Sequence, residues 1–184
     1  MALRRVLKFP DPILRQATHA VPPESITTDA AVRQLVVDMT ETMYSKNGAG
    51  LAAIQVGSPL RLFIIEPTVA GKHENDPPAV FINPKIEWFS DETETSEEGC
   101  LSFPGVYVPV KRSLKARTRA TGMDGKEFVA EGVGLYARAM QHEVDHLDNR
   151  LLIDFVGPVK RQMIKKKLER MTDEEADELQ AQGE

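Results

Sequence analysis

The string Gln141-His142-Glu143-Val144-Asp145-His146 constrains this chain more than any other feature. Histidines at i and i+4 share a face only on a helix, one turn apart, where two imidazoles can converge on a single ion. The glutamate directly after the first histidine then projects beside them, within reach of a water on that ion. Asp145 points to another face and reads as a structural charge, with Arg112 as its candidate partner. The chain is therefore expected to build around this helix.

Two histidines do not complete such a site. A catalytic zinc-like ion takes three protein ligands and keeps one position open. Metalloproteases with this helix string draw the third ligand from downstream, but Asp148, Asp154, Glu169 and an acidic tail are all that follows here. The sole cysteine lies upstream, in Glu98-Gly99-Cys100-Leu101-Ser102. One thiolate and two imidazoles with an open position make a workable catalytic sphere. Two readings compete with it. A zinc endopeptidase would want a downstream ligand, and a purely structural metal domain would have no use for Glu143 or Gln55. Blander still, the cysteine could be a small buried apolar residue.

With 184 residues the chain suits one domain, 1–184, with a sizeable core. Val32, Leu35, Val36, Met39 and Met43 recur on one face of a 3.6-residue period, capped by Thr27 or Thr28 and stopped by Asn47-Gly48. A short helical turn is expected around Ile13–Gln16. Short strands are expected at Arg61–Glu66, Ala79–Asn83, Lys85–Phe89, Val106–Val110, Leu114–Thr121 and Lys126–Ala130, the last two joined by Asp124-Gly125. Thr68–Pro78 reads as a loop. A helix over about Val133–Leu147, a strand at Leu151–Phe155 and a helix from Pro158 to about Met171 complete the pattern. Helices do not alternate with strands, so the expectation is α+β: short antiparallel or mixed strands around the central helix, with a C-terminal helix.

Apolar runs such as Leu62–Ile65 fall far short of the ~20 residues of a membrane span, and the basic start has no apolar stretch of a signal peptide. A lone cysteine fits a reducing cytoplasm. A net charge of −5 argues against general nucleic-acid binding, DNA included, and leaves local patches open.

Three segments together resemble the signature motifs of the peptide deformylase family, in that family's order. They are Gly48-Ala49-Gly50-Leu51-Ala52-Ala53-Ile54-Gln55, Glu98-Gly99-Cys100-Leu101-Ser102 and Gln141-His142-Glu143-Val144-Asp145-His146. The resemblance runs from Val6-Leu7-Lys8-Phe9-Pro10-Asp11-Pro12 to the helix after Pro158. It implies removal of the formyl group from the initiator methionine of newly made polypeptides. Cys100, His142 and His146 would be the ligands of one ion, Fe(II) by family habit, with Ni, Co or Zn able to replace it. The ion would lower the pKa of its water, and Glu143 would act as acid and base. Gln55 and the Leu101 N–H would stabilise the oxyanion. Gly50 and Gly99 would let an extended peptide approach the backbone, and Leu135, Ala139, the stem of Arg138 and the His142 ring would wall the methionine pocket. Tyr107 stands where some members carry a basic residue, and Asn149 where a glycine is common.

Residues 158–171 hold six basic side chains against Glu169, and residues 172–184 hold six acidic ones with no basic residue. The first reads as a solvated helix with Ile164, Leu168 and Met171 turned inward, with contact to ribosomal RNA as its competing use.

Overall fold

Leu62-Phe63-Ile64-Ile65 is apolar at every position, so a strand there needs cover on both faces. The computed structural model, which describes residues 2–181, gives it that cover. Among the described residues the elements run α1 (Pro23–Thr28), α2 (Ala30–Ser45), β1 (Gly50–Ala52), β2 (Leu62–Ile65), β3 (Ala79–Phe89), β4 (Thr93–Glu98), β5 (Val108–Ser113), β6 (Lys115–Thr121), β7 (Glu127–Val133), α3 (Leu135–Leu147), α4 (Pro158–Arg170) and α5 (Asp173–Ala181). The expected α+β architecture holds. Strands β1-β2-β3-β6-β7 form one antiparallel sheet, and β4 pairs with β5 in a second.

Alternation along β2 divides the core. Leu62 and Ile64 pack with Leu35, Met39 and Met43 of α2, while Phe63 and Ile65 pack with Ala137, Met140 and Val144 of α3. The two helices thus cover opposite faces of the sheet. A third cluster joins Val108 and Val110 of β5 to Leu151–Ile153 and to Ile164 and Leu168 of α4. No helix among the described residues is long and apolar enough to cross a membrane.

Several local expectations need correction. Leu151–Phe155 is no strand: Leu152–Phe155 is a 3-10 turn. Leu151, Leu152 and Ile153 are all buried, so no alternation exists, and Asp154 closes the turn by accepting from the Leu151 N–H at 2.9 Å. The cap of α2 is Asp29, which accepts from the Ala31 N–H, because Thr27 and Thr28 finish the separate α1. The two strands expected around Pro84 are one, β3, with a shift in register where Asn83 takes a positive φ and bonds both the N–H and C=O of Val21. Strand β4 escaped notice because Thr93-Glu94-Thr95-Ser96-Glu97 is polar and exposed. The acidic tail is helical through Ala181, and Glu184 lies outside the described residues.

Gly132 is where α3 crosses β7. A Cβ there would stand 2.4 Å from Met140 Cε and 2.9 Å from the Ala137 nitrogen, and backbone cannot yield cheaply. Gly132→Ala should therefore cost about 1–3 kcal/mol. Thermal unfolding should show Tm lowered by roughly 3–10 °C; an unchanged Tm would mean that α3 has room to move.

Candidate metal centre and active site

Helix α3 begins at Gly134, whose φ of 59° turns the chain off β7, and it ends where Asn149 takes φ 61°. Asparagine tolerates that left-handed conformation, so Asn149 can close the helix where a glycine was expected. The helix puts His142 and His146 on one face, rings 5.0 Å apart. Cys100 lies two residues beyond the end of β4, and its Sγ is 3.3 Å from His146 Nε2. One ligand atom from each of Cys100, His142 and His146 falls within 4.8 Å of the others. That spread admits one ion with bonds of about 2.0–2.3 Å. Burial and the neighbouring His142 hold His146 well below the ordinary histidine range, which favours the neutral form that a metal ligand requires. The three residues fit a metal ion.

The support beneath this triad was not foreseen. Glu98 is buried and accepts from Arg112 Nε at 2.8 Å and Nη2 at 2.9 Å, from Arg138 Nη1 at 2.8 Å and from His142 Nδ1 at 2.9 Å. Burial alone would raise this carboxyl, but the Arg112 hydrogen bonds and His142 hold it well below the usual carboxylate range. Its bond to Nδ1 fixes the imidazole so that Nε2 turns towards the cysteine. The expected Arg112–Asp145 pair is present at 2.5 Å, tying the same arginine to the next turn of α3. The signal in the sequence was a carboxylate two residues before the cysteine, which the motif contained but spacing alone could not interpret.

Gln55 sits in a 3-10 turn, Ala53–Val56, and is buried. Its Oε1 accepts from the Ala52 N–H at 2.8 Å, so Nε2 faces Ser102 Oγ at 3.1 Å and Cys100 Sγ at 3.4 Å. Glu143 is buried, and its Oε2 has no hydrogen-bond partner. Burial pushes its carboxyl up to about 7 despite His142. The residues assigned to chemistry or substrate line one cavity of about 280 Å³; the exception, His146, is buried beside Cys100. Leu135 and Ala139 stand on its α3 wall, whereas the guanidinium of Arg138 is committed to Glu98 and to the Val110 and Glu94 carbonyls. Gly50 has a reason beyond substrate approach, since a Cβ would stand 2.5 Å from Glu143 Oε1. At Gly99 a Cβ would meet the Tyr107 ring at 3.0 Å.

Removing Glu98 would take a carboxylate partner from two buried arginines, leaving Arg112 with Asp145 and Arg138 with two backbone carbonyls. Glu98→Ala should destabilise the metal-free chain by about 3–5 kcal/mol in denaturant unfolding. Because its carboxyl is depressed, this contribution is complete above about pH 4.3 and is lost as pH falls further towards the folded-state value. A wild-type-like midpoint at neutral pH would show that the pair contributes nothing net.

Comparisons with known proteins identify the family. The family model described as polypeptide deformylase matches residues 3–162. The chain is 48% identical over 170 residues to the peptide deformylase of Saccharophagus degradans, covering 92% of this chain and 94% of that one. It is 46% identical over 176 residues to that of Teredinibacter turnerae, covering 96% and 100%. The crystal structure of a peptide deformylase from Legionella pneumophila superposes with a TM-score of 0.82 at 39% identity, covering 92% of this chain and 95% of that one. The Ehrlichia chaffeensis enzyme in complex with actinonin gives 0.83 at 32% identity, covering 94% and 100%. The chain belongs to the peptide deformylase family, hydrolases that remove the formyl group from nascent polypeptides.

Proposed function

We propose that Cys100, His142 and His146 hold one divalent metal ion and that Glu143 moves the proton, within a single catalytic domain spanning 1–184. The observation that carries this reading is the convergence of the Cys100 thiol and two imidazoles beside a buried, unpartnered oxygen of Glu143. When bound, the ion supplies Lewis acidity towards water and the formyl oxygen. Fe(II) is the native metal in this reading, with Ni, Co or Zn able to replace it, since a mixed sulfur and nitrogen set accepts several ions.

The chain's own groups do the rest. Glu143 takes the proton that the attacking water gives up and delivers it to the amide nitrogen as the C–N bond breaks. Formate and a free amino terminus leave. Gln55 Nε2, aimed by the Ala52 N–H on its other end, and the Leu101 N–H donate to the oxyanion, each worth roughly 3–4 kcal/mol. Leu135, Ala139 and the Arg138 stem receive the methionine side chain, while Gly50 and Gly99 let the extended substrate backbone come close. The exposed lysines and arginines of α4 are the surface we assign to the ribosome, supported by the inward packing of only Ile164 and Leu168. We place the reaction in the cytoplasm, which suits a free thiol.

Cys100→Ser and His142→Ala should each lose the metal when purified anaerobically and analysed, and full occupancy in either would sink the ligand assignment. Glu143→Gln should retain metal yet lose at least ~100-fold in turnover. Near-wild-type turnover with metal retained would send the proton elsewhere.

Selectivity should be steep as well. Formyl-Met-Ala-Ser should release formate, while acetyl-Met-Ala-Ser should react at least ~100-fold more slowly, because the extra methyl displaces the reacting carbon from Glu143 and Gln55. Comparable rates by mass spectrometry, or cleavage inside the peptide, would overturn this account.

A further inference from the structure

Among the apolar side chains of the cleft with no part in the chemistry above, one comes from the C-terminal helix. Leu179 of α5 lines the cavity that also holds Cys100 and Glu143, although α5 lies far from them in sequence. It arrives there because α5 is tied down at its start. The Thr172 N–H donates to Glu175 Oε2 at 2.7 Å, and the Glu175 N–H donates to Thr172 Oγ1 at 3.2 Å. Asp173 meets Arg5 at 2.9 Å and Lys8 at 3.2 Å, and Ala176 is buried.

The docking point is the rim of the cleft itself. Gly105 has φ 63°, and a Cβ on it would stand 3.1 Å from Leu179 Cδ1 and 3.4 Å from Lys167 Nζ. Lys167 donates to the Gly105 carbonyl at 2.7 Å, so α4 and α5 both grip this rim segment. Glu174, Glu175 and Glu178 on α5 are exposed, yet among the described side chains the residue of this helix that lines the cavity is a leucine, 36% exposed.

In the deformylase reading the α3 wall of Leu135 and Ala139 receives the methionine, and Leu179 lines the same cavity at its Gly105 rim. A side chain that follows the methionine out of the cavity would meet that rim. We infer that Leu179 is a specificity-determining residue, an apolar platform for the side chain that follows formyl-methionine. The inference rests on the deformylase reading of the same cleft. It assigns to α5 a preference for nascent chains with an apolar second residue.

The test is the ratio of kcat/KM for formyl-Met-Leu-Ser over formyl-Met-Gly-Ser. Wild type should favour the leucine peptide. Leu179→Ala should lower the ratio about threefold to tenfold, less than a closed methylene pocket achieves because the site is partly open to solvent. Leu179→Met, which keeps the apolar surface, should restore most of it. A purely structural role, acting through the rim, would change both rates together and leave the ratio at its wild-type value. That result, or a wild type indifferent to the second residue, overturns the inference alone. A wild type that is metal-loaded and inactive on both peptides overturns the deformylase reading and this inference with it.

Discussion

One buried carboxylate joins the elements that carry the candidate metal centre. Glu98 ends β4, two residues before Cys100, and it accepts hydrogen bonds from β5 through Arg112 and from α3 through Arg138 and His142. The small sheet that carries the thiol and the helix that carries the imidazoles are thus joined at one side chain. The charge is costly to desolvate, and only its several partners make it tolerable. Its geometric return is definite: the ring of His142 cannot turn without breaking a charge-assisted bond.

The larger frame does a different job. Strand β2 sits under both α2 and α3, so the helix bearing the histidines rests on a surface that is itself packed from behind. Gly132 brings α3 close to β7, and Gly50 brings β1 close to Glu143. These two approaches set the helix against the sheet at a distance that leaves the Glu143 carboxylate beside the cavity. Preorganisation of this kind separates a catalytic carboxylate from one that must first be moved into place.

Much of the site was legible because its chemistry is local. The i, i+4 histidines declare both a helix and a shared face, and a single cysteine leaves little choice for a sulfur ligand. Arg112 was named as the partner of Asp145, and the pair is present. The Glu98 cluster was not legible, since its four donors come from β5 and α3, and only folding brings them to β4. Strand β4 hid for a related reason. Its alternation is blank, because the pairing with β5 supplies its stability in place of an apolar face. The 3-10 turn at Leu152–Phe155 was misread because three consecutive buried residues look like a core strand until Asp154 is seen to close on the Leu151 N–H. Helix α5 could be read as charge but not as geometry.

The double cover of β2 also bears on how the molecule comes apart. Leu62, Phe63, Ile64 and Ile65 are each fully buried, and their amides sit between β1 and β3. Opening them requires lifting α2 or α3 away, which is close to global unfolding. Helices α4 and α5 are attached by far less, chiefly Ile164, Leu168 and Ala176. Amide hydrogens of β2 should therefore exchange with solvent only through whole-molecule unfolding, while those of the two terminal helices exchange through a smaller, separate opening. The rim contact at Gly105 belongs to the fast unit, whereas α3, which carries His142, Glu143 and His146, packs on β2 and belongs to the slow one, so the cleft can loosen at its edge while that helix stays in place.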